Sequence, residues 1–214
     1  MIVQLPDPES LERLCRSLAM LDAILMPDWE YRYYSFNSSW GSGQRMASMR
    51  NGQGDSWFIL WRDPYVFLKG FDHESSCRSL SQPDAAVLGP VALLREQVPS
   101  VFAPELSEPA FMMEDTTFCR WWLNGQWHKT AEEPGQRACA EEMLGVLDGN
   151  PETYQRWAES YFDDGSPALE PVRQVYLHAA LTESLVAAIN PDVSLDSLQE
   201  DAREIGYPMG TVAN

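Results

Sequence analysis

The chain has 214 residues, of which 44% are hydrophobic and 22% charged, and a formal net charge of −17. A chain of this size and composition can bury a core, which excludes global disorder, and its shortage of Lys and Arg argues against a nucleic-acid partner, whose phosphates need cations. Neither an apolar run of about 18 residues nor a basic leader followed by an apolar stretch is present, so no membrane association is expected and a cytoplasmic location is.

Leu11, Leu14, Leu18, Leu21 and Leu25 recur at three- and four-residue steps, which predicts a core-facing helix introduced by Pro8 and ended by Pro27. From Trp29 the chain turns aromatic and alternating, predicting a strand through Phe36, then further strands at Gln44–Arg50, Trp57–Trp61 and Tyr65–Phe71, a four-stranded antiparallel meander. Residues 76–110 carry five prolines and one short helical stretch, Val91–Val98, and are expected to wrap a sheet edge. Thr116–Leu123 and Gln126–Lys129, joined by Asn124-Gly125, predict another hairpin. Helices are expected at Arg137–Leu147, Pro151–Phe162, Leu169–His178, Thr182–Ile189 and Leu195–Ile205. The fold class is therefore α+β: an antiparallel sheet of about six strands, an N-terminal helix and a C-terminal helical layer, in one domain over 1–214 (sheet-rich 28–130, helical 131–207, a frayed tail at 208–214).

Charge is unevenly placed. Residues 1–130 hold 16 acids and 11 bases, whereas 131–214 hold 16 acids and 4 bases. Glu132-Glu133, Glu141-Glu142, Asp163-Asp164 and Glu200-Asp201 are candidate elements of an acidic binding patch for a protein partner with a basic surface. Cys15, Cys77, Cys119 and Cys139 are widely spaced and are expected as thiols.

Chemistry concentrates between Ala47 and Ser75. Asp72-His73-Glu74, with Asp55, offers carboxylates beside an imidazole, the components of acid–base catalysis or a metal shell completed by His128 or Glu114. Continued strand alternation would instead put His73 on the face opposite Asp72 and Glu74. Arg50-Asn51-Gly-Gln-Gly-Asp55 suits backbone approach to a ligand, but strands on both sides favour a hairpin turn with Arg50 paired to Asp55 or Asp72. Cys77 with His73 and Cys119 with His128 are the available thiol–imidazole combinations, neither with an oxyanion donor. Trp121, Trp122 and Trp127, with Trp57, Trp61, Tyr33 and Tyr34, form a stacking surface only where helices do not cover the sheet.

The segments LCRSLAMLDAILMPDWEYRYYSFNSSW, ASMRNGQGD, KGFDHES, EPAFMMEDTTFCRWW, LDGNPETYQRWAESYF and EIGYP together resemble an uncharacterised family of bacterial proteins over nearly the whole chain. Cys77 to Ser100 departs from that likeness in being richer in alanine and proline. Some of those proteins are similar in type to small acidic antidotes that accompany secreted toxins. The expectation is thus a non-enzymatic, cofactor-free acidic binding protein, an immunity protein for a basic toxin. Its residues would be Arg50, Asn51, Trp121, Trp127, Glu141, Glu142, Asp163 and Asp164. The alternative is a small hydrolase or metal-dependent enzyme centred on Asp72-His73-Glu74, with Asp55.

Overall fold

A computed structural model describes residues 4–74, 96–131, 134–162 and 165–210, apart from the side chains of 134–136. The first helix, α1 (Pro8–Leu25), starts where Asp7 Oδ1 accepts the amides of Glu9 and Ser10, both at 3.1 Å, with Pro8 in the first turn. Its leucine stripe is buried, except for the half-buried Leu25 at the end.

Six strands follow in chain order: β1 (Tyr34–Gly41), β2 (Gln44–Arg50), β3 (Ser56–Arg62), β4 (Tyr65–Phe71), β5 (Phe118–Leu123) and β6 (Gln126–Lys129). They form one antiparallel sheet in that order, with β1 and β6 at the edges. The fold class read from sequence is therefore the observed one. The first strand differs, because Trp29–Tyr31 forms a 3-10 turn and pairing begins only at Tyr34. Asp22, buried on α1, accepts the amides of Tyr33 and Tyr34 at 2.6 and 2.8 Å and so fixes where the chain leaves the turn and enters the sheet.

Both faces of the sheet are covered. Trp57, Ile59, Trp61, Val66, Leu68 and Phe118 point to a core closed by α1 and the C-terminal helices. The alternate residues Phe58, Leu60, Phe67, Cys119 and Trp121 point to a second core closed by Val98, Phe102, Leu106, Phe111 and Met113. The described part of the proline-rich segment, from residue 96, covers a sheet face as a series of 3-10 turns, and Arg62 Nε holds it through the buried Glu105 at 2.7 Å; residues 76–95 lie outside the described residues. The expected helix at Val91–Val98 lies mainly outside the described residues.

The C-terminal helices are α2 (Pro134–Met143), α3 (Pro151–Phe162), α4 (Leu169–Tyr176), α5 (Glu183–Ile189) and α6 (Gln199–Ile205). Two of the expected helices end or begin as 3-10 turns, at Gly145–Asp148 and Asp196–Leu198. Thr182 caps α5 by accepting from the Leu185 amide. Arg32 forks onto Asp201, and Ser38 donates to the Glu204 carbonyl at 2.7 Å, tying α6 to the start of the sheet. The expected fraying from residue 208 does not begin there: the Leu181 amide bonds the Pro208 carbonyl at 3.0 Å, and the Gly210 amide bonds Leu181 at 2.8 Å. Cys15, Cys119 and Cys139 are free thiols; Cys77 lies outside the described residues.

Candidate functional site

The turn between β2 and β3 is built by Asn51, whose side-chain oxygen accepts the amides of Gln53 and Asp55 at 2.9 and 3.0 Å. Gly54 has φ +118°, a conformation that favours glycine, and a Cβ there would stand only 3.1 Å from the His73 ring. The turn delivers Asp55 to the end of β4. There Asp55 Oδ1 accepts the His73 amide at 2.9 Å and meets His73 Nδ1 at 2.8 Å, while Asn51 Nδ2 donates to Oδ2 at 2.6 Å.

The expectation that alternation separates His73 from Asp72 is corrected here. Strand β4 ends at Phe71, the Glu74 amide folds back onto Asp72 Oδ1 at 2.9 Å, and Asp72 and His73 face one space. Asp55, Asp72 and His73 each bring one potential ligand atom within 4.8 Å of the others, a spacing a single cation can span. Glu74 stands at the rim, with its Oε1 3.8 Å from His73 Nε2.

These groups line a cleft of about 590 Å³ whose opposite wall comes from α2 and α3. Glu142 and Cys139 enter from α2, Trp157 from α3, and Tyr33 from the chain just before β1. Tyr33 lies 4.9 Å from Trp157 between ring centres, and the exposed Tyr161 stacks on Trp157 at 5.3 Å. Among the described residues lining it there are four carboxylates, Asp55, Asp72, Glu74 and Glu142, and neither Lys nor Arg.

The electrostatics follow from these contacts. The hydrogen bond of His73 Nδ1 to Asp55 raises the His73 pKa, against desolvation. For Asp55 burial is the largest influence and raises its pKa, but the bonds from His73 and Asn51 together outweigh it and leave the carboxyl below its ordinary value. Burial, then the contact with Asp72, pushes the Cys139 thiol far up, so it is protonated and no nucleophile.

The other sequence candidates are scattered. Arg50 pairs with neither Asp55 nor Asp72 but lies over the Phe58 ring at 5.4 Å. Trp121 is only 5% exposed, sits in the second core and stacks on His128, so it is no contact surface. Trp127 donates through Nε1 to the Pro6 carbonyl at 2.7 Å and, with Glu141, lines a different cleft. The Cys119 amide donates to Thr130 Oγ1 at 3.3 Å and His128 is opposite Trp121, so Cys119 and His128 are diagonal rather than opposed across that hairpin. His128 and Glu114 lie in other depressions, away from Asp55. Glu132, Glu133, Asp163 and Asp164 fall outside the described residues, as does the Cys77 of the other thiol–imidazole combination.

Sequence reasoning missed Tyr33, Cys139 and Trp157 as cleft residues. The i, i+4 spacing of Trp157 and Tyr161 was a visible signal for one aromatic helix face. No helix among the described residues is long and apolar enough to cross a membrane. Comparison with protein-family models, with curated proteins and with solved structures gave no match.

Proposed function

We propose that this protein is a non-enzymatic binding protein, of the antidote type, that receives a basic side chain of a protein partner in the acidic cleft. One observation carries the reading: Asp55, Asp72, Glu74 and Glu142 converge in one cleft that Tyr33 and Trp157 also line, with no Lys or Arg among the described lining residues. A guanidinium or ammonium group is stabilised both by the carboxylates and by the aromatic faces. Tyr161, exposed beside them, is the type of side chain that anchors an interface. The net charge of −17 steers a cationic partner toward the surface at low salt.

The test is capture from the native host by the natural chain and, in parallel, by an Asp72→Asn, Glu74→Gln, Glu142→Gln variant, followed by calorimetry of the recovered partner at two salt concentrations. Capture that disappears in the variant and weakens steeply with salt is the expected result. Equal capture by both proteins removes the cleft from the interface.

A second reading rests on the Asp55, Asp72 and His73 grouping. Within the same cleft these three would hold a divalent cation for a metal-dependent hydrolase, with carboxylates and an imidazole as ligands. Calorimetric titration with Zn²⁺ and Mn²⁺, repeated on His73→Ala, separates the two: metal binding lost in that variant favours the hydrolase, and no metal binding leaves the protein-binding reading.

A further inference from the structure

Asp22 is fully buried and does not line the acidic cleft, yet its single carboxylate is bonded toward both the sheet side and the helical side of that cleft. On the sheet side, Oδ2 accepts the amides of Tyr33 and Tyr34 at 2.6 and 2.8 Å, and both residues line the cleft. On the helical side, Oδ1 meets the Tyr154 hydroxyl of α3 at 3.4 Å. Tyr154 lies one helical turn before Trp157, which also lines the cleft, and the two rings are 5.2 Å apart between centres. Trp157 in turn stands 4.9 Å from Tyr33 and 5.1 Å from Tyr34, so both routes from Asp22 close on one aromatic group.

The charged and titratable groups around Asp22 come from every element packed on it. Arg32, from the turn before β1, acts on it while forked onto Asp201 of α6. Tyr33 and Tyr34 come from the start of the sheet, Tyr154 from α3, and Tyr176 of α4 and Cys15 of α1 adjoin Tyr34. Burial pushes these four phenols and the thiol up, so they stay neutral across the physiological range. Burial also raises the Asp22 carboxyl to about 7, against the amides of Tyr34 and Tyr33, which makes it the member of the group that changes charge near neutrality.

We propose that Asp22 is a positioning residue for the acidic cleft: holding Tyr33 and Tyr34 through one oxygen and Tyr154 through the other, it sets the sheet wall against the Trp157 wall and makes their spacing respond to pH. The proposal rests on the reading of the cleft as the receiver of a basic side chain. Oδ2 is taken by two N–H donors, so the proton of the neutral carboxyl sits on Oδ1 and points to Tyr154. Once that proton leaves, the Tyr154 O–H donates to an anion, and a bond of that kind is about 2.5–2.7 Å long, well under the 3.4 Å observed. Ionisation draws Tyr154 toward α1 and carries Trp157 with it, while the Tyr33 and Tyr34 amides stay in place.

Spectra of the full chain between about pH 5 and 9 test this, following the Asp22 carboxyl carbon, the Trp157 indole N–H and the His73 ring. In the natural chain the Trp157 signal is expected to move with the midpoint of the Asp22 carboxyl. Asp22→Asn is expected to abolish that movement with the His73 titration still present, which separates the two groups. Tyr154→Phe keeps the ring and deletes the hydroxyl; Asp22 is expected still to titrate, with Trp157 no longer following. Binding of Nα-acetyl-arginine amide is expected to strengthen between about pH 6 and pH 8 by about fivefold more in the natural chain than in Tyr154→Phe. The proposal is overturned if the Asp22 carboxyl does not titrate in this range, if Trp157 ignores it, or if Trp157 follows it equally well in Tyr154→Phe. A Trp157 signal that behaves as expected while the arginine amide binds at no pH supports the positioning role and removes the basic-side-chain reading instead.

Discussion

Asp55 holds His73 twice through a single carboxylate oxygen, by the backbone amide at 2.9 Å and by the ring Nδ1 at 2.8 Å. The double contact fixes the ring and leaves Nε2 toward Glu74. Because His73 has its pKa raised by Asp55 in the folded chain, the contact favours folding fully below the unfolded pKa of about 6.5 and loses that effect as pH rises through the folded value. Asp55→Asn is expected to bring the His73 titration, followed by ring-proton chemical shifts, back toward the ordinary histidine value. An unchanged titration would mean that the pair does not persist in solution.

Asp22 joins α1 to the sheet. Burial raises its carboxyl to about 7, opposed by the amides of Tyr34 and Tyr33, the Tyr154 hydroxyl and the nearby Arg32. The folded protein therefore holds a proton that the unfolded chain releases near pH 4, and stability is expected to fall as pH rises from about 4 to about 7. Asp22→Asn should flatten that fall in urea titrations across the same range. Asp22→Ala strips the acceptor from two amides and is expected to cost about 1–3 kcal/mol for each one left unpaired.

Much of the sheet was legible because its strands alternate and its turns carry Asn-Gly signals, as at Asn124-Gly125, where φ is positive at both residues. Alternation does not say what covers each face. Trp121 and Trp122 look alike in sequence, yet one is inside the second core and the other lines a cleft, because Phe102 and Phe111 cover the face that Trp121 occupies. In the candidate site, Asp55 and His73 were identifiable as chemistry, but the end of β4 at Phe71 was not, and the strand period placed His73 on the wrong side. Cys139 and Trp157 reach the cleft from helices far along the chain, a juxtaposition fixed by tertiary packing and invisible to local pattern.

Lys69 is 0% exposed, and its Nζ has no hydrogen-bond partner among the described residues; the rings of Phe58 and Phe71 lie 5.8 and 5.5 Å away. Desolvation lowers its pKa to about 8, against the raising influence of Cys119 and Asp115. Between about 8 and 10.5 the unfolded chain binds more protons than the folded one, so stability is expected to rise with pH across that window. Lys69→Met fills similar volume without the buried amine. It is expected to stabilise the protein by about 1–3 kcal/mol at pH 7 in chemical denaturation and to abolish the alkaline rise. A destabilised variant would show that the amine has a partner in solution, and a rise that persists without Lys69 would show that another group titrates there.

Gly70 sits between Trp57 on β3 and Phe118 on β5, and a Cβ at this position would lie 2.0 Å from Phe118 Cζ and 2.4 Å from Cε1. The ring is fully buried and cannot swing into solvent, so the strand or the ring must move within a close-packed core. Gly70→Ala is expected to cost about 1–3 kcal/mol by overpacking, and Phe118→Leu to recover part of that loss, giving a combined effect smaller than the sum of the two. The consequence reaches the cleft, because the Gly70 carbonyl accepts the Thr117 amide at 2.8 Å and Thr117 Oγ1 accepts the Asp72 amide at 3.0 Å. A displaced β4 therefore carries Asp72 with it, and the adjoining His73 amide away from Asp55. Amide shifts of Asp72, His73 and Asp55 should change in Gly70→Ala and return toward their original positions in the double variant; shifts confined to β5 would show that the sheet absorbs the extra carbon without transmitting it.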